Sequence, residues 1–180
     1  MIYLDANAKA RLRPEVIEEI GRFLGTDTWP ANPSSVHSMG QRGRALLSDA
    51  RKKILKALDV KDAELIFTSG GTESCNQMIL GFLGEITELS KYKGHIVSSS
   101  IEHPAVLETL KTLEKSGWEI SYVDPEADGI ISVDKILAEV KPETALVKMM
   151  YVNNETGAVQ PVLELAKALR TQNFGEPIVS

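Results

Sequence analysis

The chain has 180 residues, 43% of them hydrophobic and 25% charged, with a formal net charge of −5 at pH 7. That allows one domain with a sizeable core, and the acidic balance argues against nucleic acid as a main partner. No apolar run approaches the roughly 20 residues that span a bilayer, and "MIYLDANAKARLRP" lacks the apolar core of a secretion signal. The single cysteine cannot form an internal disulfide, so a cytoplasmic location is the default expectation.

In chain order, "IYL" reads as a short strand and "RPEVIEEIGRFLG" as a helix opened by Pro14 and stopped by Gly25. Val16, Ile17, Ile20, Phe23 and Leu24 form its apolar stripe. "TDTWPANPSSVHSMG" is rich in turn formers and reads as a loop. Helical spacing returns from about Gln41 to Leu58. From there strands and helices alternate. The strands are "ELIFT", "HIVSS", "WEISYV", "TALVKMMYV" and the beginning of one in "EPIVS". The helices are "TESCNQMILGFLGEI", "PAVLETLKTLEKSG", "SVDKILAEV" and "PVLELAKALRTQ". This alternation predicts an α/β fold, a three-layer αβα arrangement with a mostly parallel sheet. Such sheets bind ligands beyond the C-terminal ends of their strands, so the residues after each strand deserve inspection.

After "ELIFT" comes "SGGTES". Glycines admit a ligand close to the backbone, a helix N-terminus presents unpaired N–H groups, and Ser69 or Thr72 adds a hydroxyl; that chemistry suits a phosphate. An ordinary turn with an N-cap explains the same residues equally well. After "HIVSS", His103 precedes Pro104 at a strand-to-helix junction. Its imidazole is able to stack on a flat ring or move a proton, although a surface histidine near a helix start is the commoner case. After "TALVKMMYV", the pair Asn153–Asn154 offers donors and acceptors, and a polar turn is again the commoner reading. His37, His95 and His103 lack i, i+4 spacing and have no Cys or His partners, which argues against a metal site. Cys75, just inside a helix start, reads as a packing residue.

Together these pieces resemble the amino-terminal part of a cysteine desulfurase of the class V aminotransferase superfamily, enzymes dependent on pyridoxal phosphate. "YLDANA", "NPSSVHSMGQRGRALLSDAR", "IFTSGGTESCN", "SSSIEHPAVLETL" and "MMYVNNETGAVQPV" follow the family's order at similar intervals. The resemblance implies the large domain of a fold-type I pyridoxal-phosphate transferase, truncated, with residues 1–13 as an N-terminal arm and 14–180 as a domain whose sheet is incomplete. It places Gly71 and Thr72 at the cofactor phosphate. His103 falls where the family stacks an imidazole on the pyridine ring and shuttles protons, and Asn154 where it contacts the cofactor O3′ side and the substrate carboxylate. The implied substrate is L-cysteine, converted to L-alanine with sulfur passed on as a persulfide. The implied partners are a sulfur-acceptor protein and a homodimer mate or complementing C-terminal chain, with no nucleic acid or membrane. Iron–sulfur cluster assembly and tRNA thiolation are among the implied outlets.

The family's pyridine-binding aspartate, Schiff-base lysine and catalytic cysteine follow segments beyond Ser180. The expectation is therefore a fragment or one half of a split protein, inactive alone. Lys148 precedes Asn154 by six residues; on one strand that separation is about 20 Å, too far to replace the lysine. "NAKARLRP" departs from the family's small, Thr-rich pattern, and Lys9 reads as a solvated surface lysine. Two alternatives stand beside the desulfurase reading: a sister class V enzyme (selenocysteine lyase or aminotransferase), and a non-catalytic remnant that binds a phosphate ligand or a partner chain.

Overall fold

The computed structural model describes residues 2–3, 6, 8–24, 32–86, 94–171 and 178–179. The chain divides into two compact units, Met1–Phe67 and Thr68–Ser180.

The first unit holds α1 (Pro14–Leu24) and α2 (Ser38–Ala57). Pro14 opens α1 with its fixed φ, and the Arg13 carbonyl accepts the Val16 and Ile17 amides. The apolar stripe forms as the spacing predicts but stays uncovered, with Ile17 and Leu24 both exposed. α2 starts three residues before the predicted Gln41, because the start is set by a cap and not by apolar spacing: His37 is the N-cap, and its Nδ1 accepts the Gly40 N–H at 3.3 Å. Gly40 is required there, since a Cβ would collide with the Ser35 carbonyl. The "NPSSVH" turn is bound onto α2 by Arg44 Nε, which donates to the Pro33 carbonyl at 3.0 Å.

Among the described residues, two predicted strands do not form. Ile2 and Tyr3 belong to no strand, while Leu4 lies outside the described residues; the Tyr3 hydroxyl donates to the Lys9 carbonyl at 3.0 Å instead. "ELIFT" has β-forming side chains but pairs with no strand among the described residues. Its Leu65 carbonyl accepts from Arg51 Nε at 3.0 Å, and the Arg51 guanidinium sits 5.4 Å from the centre of the Phe67 ring. A strand exists only with a hydrogen-bonded neighbour, and local sequence cannot supply one. Gly25 and the 26–31 part of the predicted loop lie outside the described residues.

The second unit contains α3 (Gly71–Ile86), β1 (His95–Ser99), α4 (Pro104–Lys115), β2 (Glu119–Val123), α5 (Val133–Glu139), β3 (Thr144–Lys148), α6 (Val162–Thr171) and β4 (Ile178–Val179). The strands form one sheet in the order β2-β1-β3-β4, every pair parallel. Side chains alternate across it. Ile96 and Leu146 pack with Ile79, Leu83, Val106, Leu110 and Trp118 of the α3–α4 side. Their neighbours Val97 and Val147 pack with Ile131, Ile136, Leu165 and Leu169 of the α5–α6 side. Both faces of the central strands are thus covered, which is why they read as continuous apolar runs. Burying a side chain such as Leu110, fully enclosed here, contributes about 1.5–3 kcal/mol. Among the described residues no helix is long and apolar enough to cross a membrane.

β3 ends four residues earlier than the predicted "TALVKMMYV". The chain leaves the sheet after Lys148, and Val152 pairs antiparallel with Val159. Between them the Asn153 amide donates to Ala158 O and the Gly157 amide to Asn153 O, each at 2.9 Å. Gly157 takes the φ of +75° that this tight return needs.

Candidate functional site

The N-termini of α3 and α4 meet beside the C-terminal end of β1. Thr72, Asn76, His103, Pro104 and Ala105 line an open cleft of about 460 Å³ between the two helices. Two sequence-predicted residues, Thr72 and His103, therefore face one space. Gly71 is the first residue of α3, next to Thr72. Asn154 is not among the lining residues.

The α3 entrance is built by its own side chains. The first backbone bond of the helix runs from the Ser74 amide to Gly70 O at 3.0 Å, so the amides of Gly71, Thr72 and Glu73 precede the helical ladder. Glu73 folds back and its Oε2 accepts the Ser69 amide at 2.6 Å. Hydrogen bonding from Ser69 holds the Glu73 carboxyl below the usual range, so it is ionised. Thr68 Oγ1 and Ser74 Oγ lie 2.7 Å apart. A Cβ at Gly70 or Gly71 would meet nothing within 4 Å. Packing therefore does not require these glycines, and the space above their backbone is open to a ligand. Among the described residues the Thr72 hydroxyl has no partner. Leading amides, a free hydroxyl and an open glycine turn suit a phosphate ester, while Glu73 keeps the Ser69 amide out of that set.

His103 is the N-cap of α4, with Pro104 following it. Its Nδ1 accepts the Ala105 N–H at 3.1 Å. A neutral ring that accepts at Nδ1 carries its proton on Nε2. The imidazole is exposed, which leaves its face and Nε2 available to a flat ligand.

The two asparagines after β3 have different environments. Asn153 is buried. Its Oδ1 accepts the Glu155 and Thr156 amides, both at 2.9 Å, and its Nδ2 donates to Ile101 O at 3.1 Å. Asn154 is exposed, and its Nδ2 donates to Glu155 Oε1 at 2.8 Å. Asn153 thus shapes the turn that carries Asn154 and ties it to the segment two residues before His103.

Sequence reasoning missed this network. It also missed Asn76, Thr109 and Glu102, which brace the site from below. The available signals were slight: a polar residue one turn inside each of α3 and α4, and a glutamate directly before His103.

Lys148 needs a correction. It does not share a strand with Asn154, so the distance along a strand fails as a reason to set it aside. It sits at the end of β3, its side chain 9% exposed, with Nζ 3.4 Å from Glu102 Oε2. Its amine is engaged in that pair. Cys75 is half-buried against the Ile79–Leu83 cluster. Lys9, in the first unit, is exposed beside Tyr3 and Arg11.

The sequence matches the family described as Aminotransferase class-V over residues 2–175. It is 41% identical over 166 residues to cysteine desulfurase IscS of Dictyoglomus turgidum, covering 92% of this chain and 41% of that protein. The structure is similar to that of a NifS-like protein, with a TM-score of 0.89 and 36% identity over 99% of this chain and 47% of that one. It is also similar to SspA solved in complex with cysteine, with a TM-score of 0.85 and 32% identity over 96% of this chain and 48% of that one. The chain thus spans about two fifths of the length of the curated relative and about half of those solved chains. The cofactor of this family is pyridoxal phosphate. The chain belongs to the class V aminotransferase family and is homologous to its cysteine desulfurases.

Proposed function

We propose that these 180 residues form the cofactor-phosphate and ring-binding part of a pyridoxal-phosphate-dependent cysteine desulfurase, which converts L-cysteine to L-alanine and passes the sulfur to a protein thiol as a persulfide. The observation that carries the reading is the cleft shared by the Thr72 hydroxyl and the exposed His103 ring, in a chain 41% identical to a cysteine desulfurase. When bound, the cofactor supplies an electron-withdrawing ring that stabilises negative charge at the substrate Cα. The chain's own residues bind and orient. Thr72 and the amides from Gly71 would hold the phosphate, His103 would bind the ring side and offer its Nε2 proton, and Asn154 would contact the O3′ side and the substrate carboxylate. The active form is a homodimer or complemented assembly, and the sulfur goes to an acceptor protein.

The test is a pyridoxal phosphate titration, followed by absorbance, of the wild type and of Thr72→Val, with pyridoxal as the control lacking phosphate. Losing a hydroxyl donor to a charged phosphate costs about 1.5–3 kcal/mol, roughly 10- to 100-fold in affinity. Unchanged affinity in Thr72→Val would remove the phosphate assignment. Alanine release from L-cysteine by the 180-residue chain alone would contradict the need for a completing segment.

A further inference from the structure

Glu102 is buried, its side chain 1% exposed, directly before His103. Its Oε1 accepts Ser99 Oγ at 2.6 Å and the Met150 amide at 2.5 Å, and its Oε2 faces Lys148 Nζ at 3.4 Å. The donors come from two places: Ser99 ends β1, while Lys148 ends β3 and Met150 lies two residues beyond it. A buried ion pair is a weak source of stability, because apolar residues of similar volume serve a core as well or better. A carboxylate here does something packing cannot, which is to join two segments through directional bonds. One segment carries His103 and the other Asn154. The bond from Asn153 Nδ2 to Ile101 O is a second tie between the same segments.

We propose that Glu102 is a positioning residue, with Lys148 as its counter-charge, that locks the β1–α4 turn onto the end of β3 and so fixes the His103 ring and its separation from Asn154. The ring is sensitive to this lock because its orientation depends on one bond, Nδ1 accepting the Ala105 N–H. While the turn is held, that bond keeps the neutral proton on Nε2, at the ligand side. When the turn is released the cap loosens and the proton redistributes between the two nitrogens. The lock is a matter of geometry; its purpose rests on the cofactor-site reading given above.

The test uses nitrogen-15 histidine spectra of the wild type, Glu102→Gln and the double variant Glu102→Met/Lys148→Met, with His103→Gln to assign the signal. The double variant removes both charges at similar volume and leaves neither charge unpaired, but it strips the Ser99 hydroxyl and the Met150 amide of their acceptor, so its denaturant midpoint is expected to fall modestly while the fold is kept. Its His103 tautomer is expected to change from Nε2–H to a mixture, while the His95 signal stays in place. Pyridoxal phosphate affinity is expected to fall on the order of tenfold. Glu102→Gln keeps an acceptor oxygen for Ser99 and Met150 and is expected to retain the Nε2–H form. A wild-type tautomer in the double variant overturns the proposal. If the tautomer changes but the wild type binds no pyridoxal phosphate, the positioning role stands and the cofactor assignment falls. If binding is tight and equal in both with one tautomer, the cofactor assignment stands and the positioning role falls.

Discussion

Thr109 Oγ1 donates to Asn76 Oδ1 at 2.6 Å, joining side chains 33 residues apart. Asn76 Nδ2 in turn donates to the Thr72 carbonyl at 2.8 Å, and the Thr109 hydroxyl also lies 2.9 Å from the Ala105 carbonyl. The first turn of α3 and the first turn of α4 are therefore stitched together beneath the cleft. Thr109→Val keeps the shape and removes the donor. It is expected to cost about 1–2 kcal/mol, because the half-buried Asn76 carbonyl loses its partner. Urea unfolding measures that cost. Pyridoxal phosphate titration of the same variant is expected to show weaker binding, since the stitch holds Thr72 and His103 apart by a fixed amount.

The adjacent asparagines are expected to separate by experiment. Asn153→Ala removes three acceptor contacts at Oδ1 and the bond to Ile101 O. At about 1 kcal/mol for each of the stronger bonds, the expected loss of stability is about 2–3 kcal/mol. Asn154→Ala removes one exposed contact to Glu155 and is expected to change stability by about 0.5 kcal/mol or less, while weakening the site. Parallel denaturation and cofactor titration decide this; equal destabilisation by both would refute the division of labour.

Much of the second unit was legible because its signals are local. β1 and β3 are short apolar runs, α4 has Pro104 at its start and a glycine after its end, and both faces of the sheet take alternate residues of the same strands. The failures share a cause. "ELIFT" has the composition of a strand, but a strand also needs a neighbour, and no local pattern supplies one. The end of β3 was misplaced because Met149 through Val152 continue the apolar run, while the return that ends the strand is set by Asn153 and Gly157. Glu102 was invisible as a buried residue because its partners Lys148 and Met150 lie 46 and 48 residues further on. In the site, the residues expected to touch a ligand carry recognisable chemistry, whereas Asn76, Thr109 and Asn153 act on backbone and on each other and resemble ordinary polar residues.

In the first unit, Gly40→Ala drives a Cβ into the Ser35 carbonyl, which is backbone and cannot swing away. Overpacking of this kind costs about 1–3 kcal/mol. The variant is expected to loosen the turn that Arg44 and His37 hold on α2. Faster hydrogen exchange at Ser35, whose amide donates to Asn32 O at 3.0 Å, would report it. Unchanged exchange would mean that α2 shifts to make room.

His95 provides a pH dependence whose sign is fixed by its surroundings. It is fully buried at the start of β1, at the sheet end opposite the cleft, with Nδ1 2.8 Å from Thr144 Oγ1 and Nε2 3.0 Å from Ser121 Oγ. Burial is the main cause lowering its pKa, and the Lys141 charge adds to it; Glu119, Glu143 and Glu139 oppose. In the unfolded chain the ring titrates near its usual value of about 6.5. As pH falls below that, the unfolded chain takes up a proton that the folded chain still refuses. Stability is therefore level above about pH 6.5 and decreases on acidification until the folded-state pKa is passed. Unfolding midpoints measured between about pH 7.5 and 5, where ordinary carboxylates remain ionised, are expected to fall for the wild type. His95→Gln keeps one donor and one acceptor without a titrating ring, so its curve is expected to be flatter over the same range. Lys141→Met removes the second cause and is expected to give an intermediate slope. Parallel curves for wild type and His95→Gln would show that the acid sensitivity of the sheet originates elsewhere.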